Sequence, residues 1–140
     1  MKQLAYVSSA VRLMNGEELL EILKTARKNN SERDVTGVLL YSEGTFIQAI
    51  EGEGDDVDSI FTAIELDARH KNIIKLIDNT IEKRFFPDWT MGFANIDMDR
   101  AREITGFLSS TGDLVNSDNK NTLATVLRTF IATNNLVIEN

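Results

Sequence analysis

The chain of 140 residues lacks cysteine and has a single histidine, His70. The absence of cysteine excludes disulfide bonds, thiolate metal sites and a cysteine nucleophile, and one histidine excludes multi-histidine metal sites. The wholly apolar runs are only a few residues long, and the start MKQLAYVSSA lacks the apolar stretch of a signal peptide. We therefore expect a soluble, cytoplasmic protein with no membrane-spanning helix and no metal centre.

Basic side chains are also scarce, at 15 against 22 acidic ones, so the formal net charge is −7. No run of basic residues offsets this balance, and nucleic-acid binding is not expected because phosphate backbones would be repelled. The sequence has no Walker loop, no dinucleotide-binding glycine fingerprint, no nucleophile elbow and no paired-histidine helix. These absences argue against an enzyme.

Hydrophobic periodicity in the first third of the chain predicts a strand followed by a helix. Residues 3–8 alternate as a strand does. Asn15 is a good N-cap residue, and Glu18 stands three positions later, as in a capping box. The apolar stripe of the helix fades near Lys28 or Asn29, which predicts a polar loop from there to Asp34.

The middle of the chain predicts a hairpin, a second helix and two more strands. Residues 35–41 and 45–50 flank a short turn, and Asp55 with its acidic neighbour favours the start of a helix. Residues 73–81 and 91–96 then resemble strands. The resulting order, β-α-β-β-α-β-β, predicts an α+β, ferredoxin-like fold in which a five-stranded mixed sheet carries both helices on one face.

The last third of the chain changes character. Residues 98–140 predict two further amphipathic helices separated by a polar loop. This segment is too short to fold alone. We expect residues 1–97 to form the domain and residues 98–140 to form a C-terminal helical extension that caps the open face of the sheet.

Gln48 is a polar side chain in the middle of an apolar strand, between Phe46 and Ile50. A buried amide must find partners for its carbonyl and its NH2 group, and Tyr6 on a strand expected to lie alongside could be one of them. The alternative is an outward-facing, solvated Gln48. Strand periodicity alone does not decide between the two.

Six short stretches together carry a family resemblance, in order and in spacing: Leu4-x-Tyr6-x-Ser8, Asn29-Asn30, Val35-Thr36-Gly37, Phe46-x-Gln48-x-x-Glu51-Gly52, Asp67-x-Arg69-His70 and Phe86-Pro87-x-Trp89-x-Met91. The set spans roughly residues 1–97 and resembles the BLUF domains, which are blue-light sensors that use flavin. The resemblance implies a noncovalent flavin, usually FAD, between the two helices. Ala63 stands where some relatives have a basic side chain, so FMN or riboflavin could compete with FAD.

The resemblance also implies roles for individual residues. Tyr6 and Gln48 would be the photoactive pair, since an excited flavin is a strong oxidant and a nearby tyrosine can supply an electron and a proton. Trp89 and Met91 would relay the change. The sequence does not decide which of the two lies nearer the flavin. The implied cofactor-binding set is Tyr6, Ser8, Ile22, Asn29, Asn30, Gln48, Asp67, Arg69 and His70.

The leading functional hypothesis is a non-enzymatic blue-light receptor. Light would rearrange the Tyr-Gln-flavin hydrogen bonds, and the C-terminal helices would pass the change to an unidentified partner protein, with a homo-oligomer as the expected assembly. One alternative is a ferredoxin-like interaction module that does not sense light. A weaker alternative is a small flavin oxidoreductase, for which the sequence offers neither a nicotinamide-binding motif nor a separate catalytic acid or base.

Overall fold

A computed structural model describes residues 1–84, 86–88 and 90–95 of the chain. Within them the elements follow the predicted order β-α-β-β-α-β-β. Their bounds are β1 Lys2–Ala10, α1 Gly16–Glu32, β2 Thr36–Ser42, β3 Thr45–Gly52, α2 Gly54–Glu65, β4 His70–Thr80 and β5 Gly92–Asn95. Trp89, Ile96 and the C-terminal extension predicted for residues 98–140 lie outside the described residues.

The five strands form one mixed sheet in the order β4-β1-β3-β2-β5. Every neighbouring pair is antiparallel except β2 and β5, which run parallel. Apolar side chains of both helices share one core cluster with alternate residues of the central strands, for example Leu23 and Val57 with Leu4 and Ile50. The predicted ferredoxin-like sheet with both helices on one face is therefore confirmed.

Helix α1 begins with the predicted capping box. The Asn15 side chain accepts from the Glu18 backbone N–H at 2.9 Å, and the Glu18 carboxylate accepts from the Asn15 backbone N–H. The predicted end near Asn29 is wrong, because the helix continues to Glu32. Asn30 is buried, and its side-chain amide donates to the Thr90 carbonyl at 2.8 Å. This tertiary partner offsets the low intrinsic helix propensity of asparagine.

Strand β4 begins at His70, three residues before its predicted start at Ile73, so the expected loop up to Asn72 is shorter. The extension pairs with the end of β1, where Ala10 faces His70 and Ser9 faces Lys71. The register shifts between Val7 and Ser9. Such irregularities strengthen the local twist and redirect side chains. The pairing with Ala10 places His70, which was expected in a loop, in the sheet.

The face of the sheet away from the helices holds a buried polar junction around Glu51. Its carboxylate accepts from the Gln3 side-chain amide at 2.9 Å and from the Phe86 backbone N–H at 2.7 Å. Arg84 adds a bond to the Thr36 hydroxyl at 3.0 Å. These bonds tie the β4–β5 connection to the end of β3 and the start of β2 and so direct the chain toward β5.

No helix in the described part of the chain is long and apolar enough to cross a membrane. Nor do these residues contain a group of three or more histidine, aspartate and glutamate side chains placed to hold a metal ion.

Candidate functional site

A cavity of about 490 Å³ lies between the two helices, above the sheet. Its volume is within the usual range for small-molecule and cofactor pockets, which are mostly apolar with a few polar groups at fixed places. Both helices, four strands and the α2–β4 connection contribute to its lining, which consists of Tyr6, Ile22, Thr25, Ala26, Asn29, Asn30, Leu39, Phe46, Gln48, Ile60, Ala63, Ile64, Leu66, Asp67, Arg69 and His70.

Tyr6 and Gln48 face each other directly across the β1–β3 ladder, at the floor of this cavity. Both side chains are buried, and the Tyr6 hydroxyl donates to Gln48 Oε1. Gln48 Nε2 in turn donates to the Met91 sulfur at 3.5 Å. The open question of where Gln48 points is thereby answered: it faces the helices, and it finds partners for its carbonyl and its NH2 group.

The chemistry of the sulfur explains the orientation of the amide. A thioether can only accept a hydrogen bond, so the NH2 group of Gln48 must face Met91 and its carbonyl must face Tyr6. Tyr6 then has to be the donor. Burial raises the pKa of the Tyr6 phenol, and the negative charge of Asp67 adds to that rise. The phenol therefore keeps its proton and stays a donor at physiological pH.

Helix α1 supplies one wall of the cavity. Ile22 and Asn29, two residues of the implied cofactor-binding set, are half-buried and line it. Asn30 also lines it while donating one N–H to the Thr90 carbonyl. A side-chain amide has two N–H donors and one carbonyl acceptor, so this bond leaves Asn30 one donor and the acceptor for a ligand.

Asp67 and Arg69 form an ion pair at the cavity mouth. Arg69 Nη2 lies 2.6 Å from Asp67 Oδ2 and Arg69 Nε lies 2.9 Å from Oδ1, while the Arg69 backbone N–H donates to the same carboxylate. The hydrogen bonds from the Arg69 side chain are the main reason why the pKa of Asp67 is lowered. The charge of Arg69 is therefore already balanced by a carboxylate at the same place.

His70 bridges three elements. Its Nδ1 lies 2.8 Å from the Ser8 hydroxyl and its Nε2 lies 2.6 Å from the Ile64 carbonyl. A carbonyl only accepts, so Nε2 carries the hydrogen, and neutral His70 accepts from Ser8 at Nδ1. Since both ring nitrogens are used within the protein, His70 can offer a ligand the edge and face of its ring. Ser8, which the resemblance placed in the cofactor-binding set, is buried behind His70 and is not part of the cavity lining.

Apart from Ile22, the sequence analysis did not assign the apolar side chains of the lining, although a signal for them was present. Ile60 and Ile64 stand at helical spacing in the second helix, which is a signal for an inward face, and Phe46 is part of the quoted pattern. Each of the three lines the cavity. Helical and strand periodicity identify an inward face, but they do not separate core from cavity wall. Trp89, expected as a relay residue, lies outside the described residues.

Comparison with known proteins gives the site its context. The family model for BLUF domains, described as sensors of blue light using FAD, matches residues 1–92. The chain belongs to the BLUF family. The BLUF domain formed by these residues is a blue-light sensor that binds flavin.

Similar proteins include a cyclase subunit, an antirepressor and a BLUF protein of known structure. The chain is 34% identical over 96 residues to photoactivated adenylate cyclase subunit beta of Euglena longa, and this match covers 68% of the chain but only 11% of the cyclase subunit. It is 36% identical over 70 residues to the blue light- and temperature-regulated antirepressor BluF of Escherichia coli, covering 50% of the chain and 17% of BluF. The dark-state structure of the BLUF protein BlrB matches with a TM-score of 0.66 and 29% identity, over 90% of this chain and 93% of BlrB.

The cavity fits a flavin. Its apolar walls, formed by side chains such as Ile22 and Leu39, suit a planar aromatic ring system. Polar side-chain ends meet along its floor and one wall, where Gln48 and Asn30 offer amide groups to the nitrogen and oxygen atoms at a ring edge. The donor set contains no thiol, in keeping with noncovalent binding.

Proposed function

We propose that this BLUF domain responds to light through the chain of hydrogen bonds from Tyr6 through Gln48 to Met91, without catalysing a reaction. One observation carries the proposal: a single amide is bonded at its carbonyl to the Tyr6 hydroxyl and at its NH2 group to the Met91 sulfur. The orientation of Gln48 is thereby linked both to the floor of the flavin cavity and to the residue that precedes β5.

Bound flavin supplies the absorption of blue light and a strongly oxidising excited state. Tyr6 holds its proton on the hydroxyl oxygen and points it at Gln48 Oε1, which is the direction in which that proton can move. The pair is buried and excludes bulk water, so a rearrangement here is not averaged out by solvent.

Gln48 can act as the switch because its two ends differ chemically. A half-turn of the amide would place its NH2 group at the Tyr6 oxygen and its carbonyl at the Met91 sulfur. Carbonyl and thioether are both acceptors, so the bond to Met91 would be lost. A net contribution of about 0.5–1.5 kcal/mol for one hydrogen bond is enough to shift a two-state equilibrium roughly 2- to 10-fold.

We assign the flavin contacts to the residues that the structure brings together at the cavity. Asn30 and Gln48 would bind polar atoms of the ring system, Ile22 would pack against it, and Asn29 would lie beside the ribityl chain. Arg69 and Asp67 would lie at the phosphate end. Because Arg69 is already paired with Asp67, a phosphate gains little there, which supports FMN or riboflavin as competitors of FAD.

The proposed output is a separate protein. The E. coli relative is named an antirepressor, and BlrB, which the chain matches over most of its length, is named simply a BLUF protein. By analogy with them, the start of β5 and residues 98–140 would transmit the change to a partner in the cytoplasm, and a homo-oligomer is the proposed assembly. In the same proposal residues 98–140 cover the second face of the sheet, where Leu40, Ile47 and Ala49 are buried.

The test is an absorption spectrum of the purified protein before and after blue illumination. We expect a bound-flavin spectrum that shifts slightly to the red and recovers in the dark. Tyr6→Phe should abolish the shift, whereas Tyr41→Phe should keep it, because the Tyr41 hydroxyl instead accepts from the Met14 backbone N–H at 2.9 Å.

A colourless protein that does not take up added FAD would contradict the proposal and favour the interaction module. Bleaching of the flavin by NADH in the dark would instead favour the oxidoreductase.

A further inference from the structure

Two consecutive backbone carbonyls just before β5 accept hydrogen bonds from side chains of α1. Asn30 Nδ2 donates to the Thr90 carbonyl at 2.8 Å, and Arg27 Nε donates to the Met91 carbonyl at 3.2 Å. Thr90 and Met91 precede the parallel β2–β5 ladder, which begins with the pairing of Val38 and Gly92. Helix α1 therefore holds the point at which the chain enters β5.

Arg27 differs from Asn30 in its relation to the cavity. Residues three apart in a helix lie on neighbouring positions of one face, so Arg27 and Asn30 reach the same stretch of backbone. Asn30 lines the cavity and Arg27 is not part of the lining. Arg27 is half-buried, and its bond is made by the nitrogen closest to the side-chain stem. The bond to the Met91 carbonyl therefore links Arg27 to the site without a place in the cavity lining.

We propose that Arg27 is a positioning residue for the light response: by holding the Met91 carbonyl, it keeps the Met91 sulfur within reach of the Gln48 amide. This inference rests on the proposed function of the Tyr6–Gln48–Met91 chain. The sulfur is fully buried and lies 3.5 Å from Gln48 Nε2, so a small displacement of the Met91 backbone removes the bond. Arg27 thus sets how strongly Gln48 is held in one orientation.

The proposal predicts an effect on the kinetics of the photocycle with no loss of flavin. Arg27→Ala should bind flavin as the unchanged protein does and should still show the light-induced red shift, because Tyr6 and Gln48 are intact. Its dark-recovery rate should change roughly 2- to 10-fold, the factor that corresponds to one hydrogen bond. Lys28→Ala is the matched control, since Lys28 is the next residue of the same helix and is exposed.

A spectroscopic measurement separates this role from a general loss of stability. The four methionines can be labelled with ¹³C at the carbonyl, and a labelled Met91→Leu protein identifies the Met91 band in the infrared spectrum. Arg27→Ala should move this band to higher frequency, because the carbonyl loses a donor, and Lys28→Ala should leave it in place. Arg27→Lys retains a donor on a long stem and should restore the recovery rate in part.

The inference is overturned if Arg27→Ala and Lys28→Ala both recover at the rate of the unchanged protein. It is also overturned if the recovery rate changes while the Met91 band does not. If Arg27→Ala fails to fold, Arg27→Lys and the unchanged protein provide the same comparison of rate and band. Failure of the proposed function is a different result: the unchanged protein would then show no light-induced shift at all.

Discussion

Tyr6 and Gln48 stand directly opposite each other on β1 and β3, and the phenol of one donates to the amide carbonyl of the other. Neighbouring strands place such opposite residues about 4.5–5.5 Å apart at Cβ, so the sheet itself brings the pair into contact. The flavin cavity lies on that face. At the other end of the Gln48 amide, the Met91 sulfur accepts from Nε2 and completes the series of hydrogen bonds.

Gln48→Leu should abolish the light-induced shift and also destabilise the fold. The leucine fills the space but leaves the buried Tyr6 hydroxyl and the Met91 sulfur without the amide. An unsatisfied buried hydroxyl costs about 1–3 kcal/mol. Urea unfolding should show this loss, and a double variant with Tyr6→Phe should regain part of it because the hydroxyl is gone as well. A light response in Gln48→Leu would contradict the assigned role.

Met91→Leu should retain flavin and the red shift but alter dark recovery, because leucine has a similar volume and no sulfur acceptor. Conservative swaps of this kind usually cost less than about 1.5 kcal/mol, so the fold should survive. The measurement is the recovery rate after blue light, together with light-dependent association with the partner once that is identified. If Met91→Ala changed neither the optical cycle nor that association, the relay role would be wrong.

The raised pKa of Tyr6 predicts a loss of stability in alkali. The folded-state pKa lies above the value of 10.0 for an unperturbed tyrosine. Above pH 10 the unfolded chain therefore releases this proton while the folded chain keeps it, and the free energy of unfolding falls by up to about 1.4 kcal/mol per pH unit. Urea titrations from pH 9 to pH 11 should show a shallower fall in Tyr6→Phe. Equal slopes in the two proteins would contradict the burial argument.

The lowered pKa of Asp67 predicts a loss of stability in acid. The ionised carboxylate is favoured in the folded state, so its contribution is present above the unperturbed pKa of 3.8 and is lost as the pH falls through the lower folded value. The pair is partly exposed, and Asp67→Asn should cost at most about 1 kcal/mol at neutral pH. Below pH 4 the stability of Asp67→Asn should depend less on pH than that of the unchanged protein. Thermal unfolding at several pH values can measure this difference.

Gly37→Ala should be far more damaging than Gly16→Ala. An added Cβ at Gly37 would lie 2.0 Å from the Ala49 carbonyl oxygen on the paired strand, whereas one at Gly16 would meet nothing within 4 Å. Forcing β2 and β3 apart should cost about 3 kcal/mol or more, in the range of severe core substitutions. Gly16→Ala should be neutral or slightly stabilising in the same unfolding experiment, since alanine favours a helix.

The boundaries of α1 and β4 show where sequence reasoning stopped. The start of α1 is a local event, since Asn15 and Glu18 cap each other within one turn, and it was predicted correctly. The end of α1 depends on a bond from Asn30 to Thr90, sixty residues away along the chain. The start of β4 depends on pairing with the end of β1. A local sequence pattern does not identify partners that are distant along the chain.

The candidate site divides in the same way. The sequence alone predicted the residue types of the Tyr6–Gln48 pair, the element order and the acidic charge. This was possible because strand and helix periods and side-chain chemistry are local properties. Only the tertiary structure decided that Gln48 faces the helices, that both nitrogens of His70 are bonded within the protein, and that Arg27 holds the Met91 carbonyl. The physical reason is that a buried polar group is defined by its partners, and these partners come together only when distant elements pack.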